Sequence, residues 1–124
     1  MAKKILIVDD SPTSRKLVRV TLQSAGFEVV EANDGVEGLH VIRCTPELAL
    51  AVVDVNMPNM SGIEMLEALQ TLGGHSALPV MMLTMEAKSE LVARAKKAGA
   101  NGWMVKPFKS DVLISVAQKL TRAA

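Results

Sequence analysis

Apolar residues gather in this chain into short unbroken runs: Ile5-Leu6-Ile7-Val8, Leu48-Ala49-Leu50-Ala51-Val52-Val53, Val80-Met81-Met82-Leu83 and the weaker Trp103-Met104-Val105. A strand with one face in water alternates apolar and polar residues, so runs without alternation point to strands covered on both faces, as in a parallel sheet. A further segment, Phe27-Glu28-Val29-Val30-Glu31, mixes charge with β-branched residues and reads as an edge strand.

Helical periods fill the intervals. Ser11 followed by Pro12 gives an N-cap and a proline at the first helical position, and Val18, Leu22 and Ala25 continue one face until Gly26. Gly35 to Arg43 carries Val36, Leu39 and Ile42 on a second helix. Ser61 caps a third with Ile63, Leu66, Leu69 and Leu72, stopped by Gly73-Gly74. Leu91, Ala95 and Ala98 form a fourth, ended by Gly99, and Leu113, Val116, Ala117 and Leu120 a fifth. Strand and helix thus alternate five times, which predicts an α/β fold with a doubly wound five-stranded parallel sheet. A helical bundle is the alternative, but the runs are too short and too β-branched to favour it.

With 124 residues the chain reads as one domain, 1–124, without room for a separate output module. The hydrophobic fraction is 49% and the aromatic fraction only 2%, so the core must be aliphatic and disorder is excluded. A formal charge of +1 offers no net basic field for nucleic acid or an anionic membrane. No apolar run approaches the ~20 residues of a membrane span, and the run after Lys3-Lys4 is too short for a signal peptide, so a cytoplasmic location is expected. Cys44 has no disulfide partner, and His40 and His75 offer no zinc-type spacing with it. It reads as a small hydrophobe on a helix face.

In open α/β sheets ligands bind beyond the carboxyl ends of the strands. The residues that follow the apolar runs are Asp9 and Asp10, then Asp54, Thr84 and Lys106. Each has a plain reading: Asp10 and Thr84 as helix caps, Asp54 as the start of a turn, Lys106 as a solvated charge. Chance does not readily place all of them directly after strands. Clustered carboxylates repel one another unless a cation sits among them, and oxygen ligands without His or Cys suit Mg²⁺. A carboxylate can itself act as a nucleophile toward phosphorus, and a threonine hydroxyl and a lysine ammonium are groups that a phosphoryl requires. A P-loop is excluded, because Val8-Asp9-Asp10-Ser11-Pro12 stands where a glycine-rich loop would be. A flavin phosphate cradle is a poor second, since Asp9 and Asp10 would repel the anion.

Four fragments, Ile5-Leu6-Ile7-Val8-Asp9-Asp10, Val53-Asp54-Val55-Asn56-Met57-Pro58 with Gly62, Leu83-Thr84 and Val105-Lys106-Pro107-Phe108, together resemble the receiver domains of two-component response regulators, specifically the stand-alone CheY type. The resemblance spans the whole chain and implies the strand order 2-1-3-4-5, of which this family is a standard example. It implies Asp54 as phosphoacceptor. The metal ligands for Mg²⁺ would be Asp10, Asp54, the Asn56 main-chain carbonyl and, mostly through water, Asp9. Thr84, Lys106 and the Met85 amide would contact the phosphoryl group, and the Lys106–Pro107 bond would be cis. Thr84 and Trp103 would be the switch pair, with Trp103 where Tyr or Phe is more usual; its plain reading is a strand aromatic packed on the fifth helix. Asn56, Glu86 and Met85 occupy positions that tune dephosphorylation.

The implied partners are a histidine kinase as donor, an effector such as a flagellar motor switch, and a phosphatase, with the chain itself a monomer or weak dimer. The expected effector surface includes Glu90, Arg94, Lys97, Trp103, Lys109 and Asp111. Two alternatives stand beside this reading. One is a phosphate sink or relay without an effector. The other is an enzyme that turns over small phosphate esters through Asp54, weakened by Asn56 where aspartate-nucleophile phosphatases commonly carry a second Asp.

Overall fold

The computed structural model describes residues 2–72 and 78–122. Five strands alternate with five helices: β1 (Lys4–Val8), α1 (Pro12–Ser24), β2 (Glu28–Ala32), α2 (Gly35–Cys44), β3 (Leu48–Val53), α3 (Gly62–Leu72), β4 (Val80–Thr84), α4 (Ser89–Lys97), β5 (Gly102–Val105) and α5 (Ser110–Arg122). The strands pair in parallel in the order β2-β1-β3-β4-β5, with β2 at one edge as its mixed composition predicts. Gly73, Gly74 and His75 lie outside the described residues.

The unbroken apolar runs exist because successive side chains enter two different cores. Leu6, Val8, Ala51, Val53, Val80 and Met82 pack with Ile42, Ile63, Leu66 and Ala95 on one side. Ile5, Ile7, Leu50, Val52, Met81 and Leu83 pack with Val18, Leu22, Leu113 and Ala117 on the other. Ile5, Leu6, Ile7 and Leu50 are fully buried or nearly so, each worth about 1.5–3 kcal/mol of apolar burial.

Local signals set the helix starts. Ser11 Oγ accepts the Ser14 amide, with Pro12 in the first turn of α1. Asp34 Oδ1 accepts the Glu37 amide to cap α2. At α3, Ser61 Oγ accepts the Glu64 amide while Glu64 Oε1 accepts the Ser61 amide, a reciprocal capping box. Thr84 is not the cap of α4, which begins only at Ser89 after Lys88.

Cys44 departs from expectation, and Trp103 from its plain reading. Cys44 closes α2 as an exposed residue, beside His40 Nε2 at 3.8 Å, because it lies about 200° round the helix from the buried Ile42. Trp103 packs on the α4 side of the sheet rather than on α5; strand alternation gives the α5 side to its neighbour Met104.

Gly62 ties α3 to the end of β3. Its amide donates to the Val55 carbonyl at 2.9 Å, and a Cβ here would stand 2.0 Å from the Asp54 carbonyl oxygen. Gly62→Ala should therefore lower the unfolding free energy by about 3 kcal/mol, measured by urea denaturation.

Candidate functional site

The carboxyl ends of β1 and β3 lie side by side, so Asp9 and Asp54 emerge together; the Asp54 amide donates to the Val8 carbonyl at 2.9 Å. One carboxylate oxygen from each of Asp9, Asp10 and Asp54 lies within 4.8 Å of the others. Asp9 is buried, Asp54 nearly so, and Asp10 faces solvent. This all-oxygen set, open on the Asp10 side, fits a hard, partly hydrated ion such as Mg²⁺.

Lys106, just past β5, crosses the cluster. Its Nζ donates to Asp9 Oδ2 at 2.8 Å and Asp54 Oδ2 at 3.3 Å. Burial works against the ammonium, but the hydrogen bond to Asp9 and the charges of Asp54 and Asp9 outweigh it and hold its pKa above the ordinary lysine value. The Lys106 amide extends the sheet by donating to the Thr84 carbonyl at 2.9 Å, and the Lys106–Pro107 bond is cis.

Thr84, the last residue of β4, is fully buried, and its Oγ1 accepts the Glu86 amide at 3.3 Å. The Glu86 carbonyl accepts the Trp103 indole Nε1–H at 3.0 Å. One residue of the β4–α4 loop thus links threonine to tryptophan. Met85 projects outward, 77% exposed. On the β3–α3 loop the Asn56 amide donates weakly to Asp54 Oδ1 at 3.4 Å. Asn59 holds a left-handed backbone with φ 69°, and its Nδ2 donates to Asp34 Oδ2 at 3.1 Å, tying that loop to the start of α2.

Asp9, Asp10, Asp54, Thr84 and Lys106 therefore meet at one rim, with Asn56, Glu86 and Met85 on the loops around it. Glu90, Lys97, Lys109 and Asp111 are exposed. Arg94 is exposed as well, and its Nε and Nη2 donate to Glu67 of α3 at 2.9 and 2.7 Å. The sequence reading missed Arg15, whose Nη1 donates to the Asp9 carbonyl at 2.7 Å. Its signal was a cation near a helix N-terminus, where the dipole favours acids.

Residues 5–118 match the response regulator receiver domain. The chain is 40% identical over 118 residues to the chemotaxis protein CheY of Pseudomonas aeruginosa, covering 94% of each. It is equally identical, over 118 residues, to chemotaxis protein CheY-3 of Vibrio cholerae serotype O1, covering 94% of this chain and 90% of that one. The solved structure of Vibrio cholerae CheY4 superposes with a TM-score of 0.89 at 38% identity, covering 97% of this chain and 99% of that one. The chain belongs to the receiver-domain family of response regulators. It is a signalling regulator of the CheY kind rather than a conventional enzyme.

A lysine with a raised pKa contributes its full stabilisation below the unfolded value of 10.5 and loses it as pH climbs through the folded value. The unfolding free energy should accordingly carry a Lys106-dependent decline above that pH. Urea titrations at stepped alkaline pH should find this decline in the parent and not in Lys106→Met.

Proposed function

We propose that the chain is a phosphorylation-controlled response regulator of the chemotaxis type, acting as a single receiver module over residues 1–124. The observation that carries this reading is the convergence of three carboxylates, a buried threonine and a bridging lysine at the carboxyl edge of the sheet. Within it, Asp54 is the phosphoacceptor. An Asp54 oxygen attacks the phosphorus of a phosphohistidine on a histidine kinase; the new P–O bond forms as the P–N bond breaks, and the imidazole departs with the bonding pair and takes up a proton.

Asp9, Asp10, Asp54 and the Asn56 carbonyl would hold Mg²⁺, which supplies positive charge against the phosphoryl oxygens. Lys106 donates to the transferred group from its place beside Asp54, and Thr84 Oγ1 and the Met85 amide bind it from the β4 side. Once Thr84 turns toward a phosphoryl on Asp54, its bond with the Glu86 amide is given up. The Glu86 carbonyl that holds Trp103 then shifts with the loop, which supports Thr84 and Trp103 as the switch pair. Asn56, Glu86 and Met85, on the loops around Asp54, tune the phosphoryl lifetime in this reading.

The output face is formed by α4, β5 and α5, with Glu90, Lys97, Trp103, Lys109 and Asp111 exposed or half-buried on it. Arg94 is exposed there too, in a surface pair with Glu67 of α3. An effector such as a flagellar motor switch is controlled only in so far as it binds the phosphorylated form more tightly. Names of relatives that refer to chemotaxis support this partner class. A cytoplasmic monomer or weak dimer fits, and no helix among the described residues is long and apolar enough to cross a membrane. A phosphatase would complete the cycle.

Incubation with a small acyl phosphate and Mg²⁺ should give one acid-labile phosphoryl per chain, absent in Asp54→Ala; labelling that persists in that variant defeats the assignment. Asp10→Asn relieves carboxylate repulsion, so without metal its melting temperature should rise by about 2–5 °C. The same variant should lose the Mg²⁺-dependent rise shown by the parent in differential scanning calorimetry.

A further inference from the structure

Arg15 stands near the start of α1, a helix with no acidic residue in its first turn, although the dipole there disfavours a cation. Its contacts account for its place. Besides the bond from Nη1 to the Asp9 carbonyl at 2.7 Å, Nε donates to Glu31 Oε1 at 3.1 Å. Glu31 lies on β2 opposite Ile7 and also accepts Arg19 Nη1 at 2.8 Å. The Arg15 side chain is only 16% exposed.

The pairing of β1 with β2 ends at Val8 opposite Ala32, and the Asp9 amide makes the last main-chain bond to β2, to the Ala32 carbonyl at 3.1 Å. Past that point no strand guides the backbone, although three mutually repelling carboxylates must be aimed from here and from β3. Asp9 is held at four points: its amide by Ala32, its carbonyl by Arg15, Oδ1 by the Ser11 amide at 2.9 Å and Oδ2 by Lys106. Lys106 acts from inside the site. Arg15 grips the main chain from behind it.

We propose that Arg15 is a positioning residue for Mg²⁺ binding and so for phosphoryl transfer, its guanidinium locking the Asp9 main chain to Glu31 so that the Asp9–Asp10 turn faces Asp54. This rests on the reading of the site as a Mg²⁺-dependent phosphoacceptor. The role needs a rigid fork with two donors aimed at two acceptors, which a lysine ammonium does not supply. A bare positive charge would have the opposite effect, since removing it would favour a divalent cation nearby.

Mg²⁺ titration of the intact chain by isothermal calorimetry, with melting temperatures of the same metal-free samples, tests the role. Arg15→Lys keeps the charge and loses the fork; it should weaken Mg²⁺ binding about ten-fold. Arg15→Met should weaken it similarly despite losing a cation. Glu31→Gln should weaken it by about two-fold or more, and its effect should not add to that of Arg15→Lys, because both act through one fork. Arg15→Lys binding Mg²⁺ within about two-fold of the parent, or Arg15→Met binding it more tightly, overturns the positioning role. A lower melting temperature with unchanged affinity also overturns it, leaving Arg15 a structural residue. A parent chain that binds no Mg²⁺ overturns instead the reading of the site, and the proposal with it.

Discussion

Mutual repulsion among Asp9, Asp10 and Asp54 is the constraint around which the carboxyl edge of this sheet is built. Their oxygens lie within 4.8 Å of one another, a spacing that costs stability unless cations and hydrogen-bond donors oppose it. Lys106 reaches two of the three carboxylates, and Arg15 secures the backbone of Asp9. Each cation comes from an element other than the strand whose acid it serves. The site therefore exists only when β1, β3, β5 and α1 are assembled.

That assembly is made rigid by burial. Residues of β1 and β3 alternate between two aliphatic cores, so neither strand can slip by one residue without exchanging the whole of one core for the other. The close approach at Gly62 fixes α3 against the main chain of Asp54. By contrast, the proposed switch path runs through a loop. Thr84, Glu86 and Trp103 form a hydrogen-bonded path whose middle member belongs to the β4–α4 loop, and α4 is tied to α3 by the exposed Arg94–Glu67 pair, an interaction worth little in water.

Much of this was legible from residue order. The five strands, the edge position of β2 and the residues at the strand ends followed from apolar runs and what comes after them. Cys44 is exposed because it follows Ile42 by two residues, about 200° round the helix, so the same period that buries Ile42 turns Cys44 to solvent. The plain reading of Trp103, an aromatic packed on α5, fails because a short edge strand carries no alternation strong enough to set its phase. Arg15, Glu31 and the Asn59–Asp34 bond were missed because each joins residues from different elements, and a one-dimensional pattern holds no information about such pairs.

A parallel sheet with acids, threonine and lysine at its strand ends is written in the residue order, because strand burial and helix capping are local and periodic properties. Which oxygens meet, which cation faces which carboxylate and which side of the sheet Trp103 occupies are settled by the assembled fold. Those depend on strand order and register, and it is the crossing of β1 to a place between β2 and β3 that brings Asp9 beside Asp54 and within reach of Lys106.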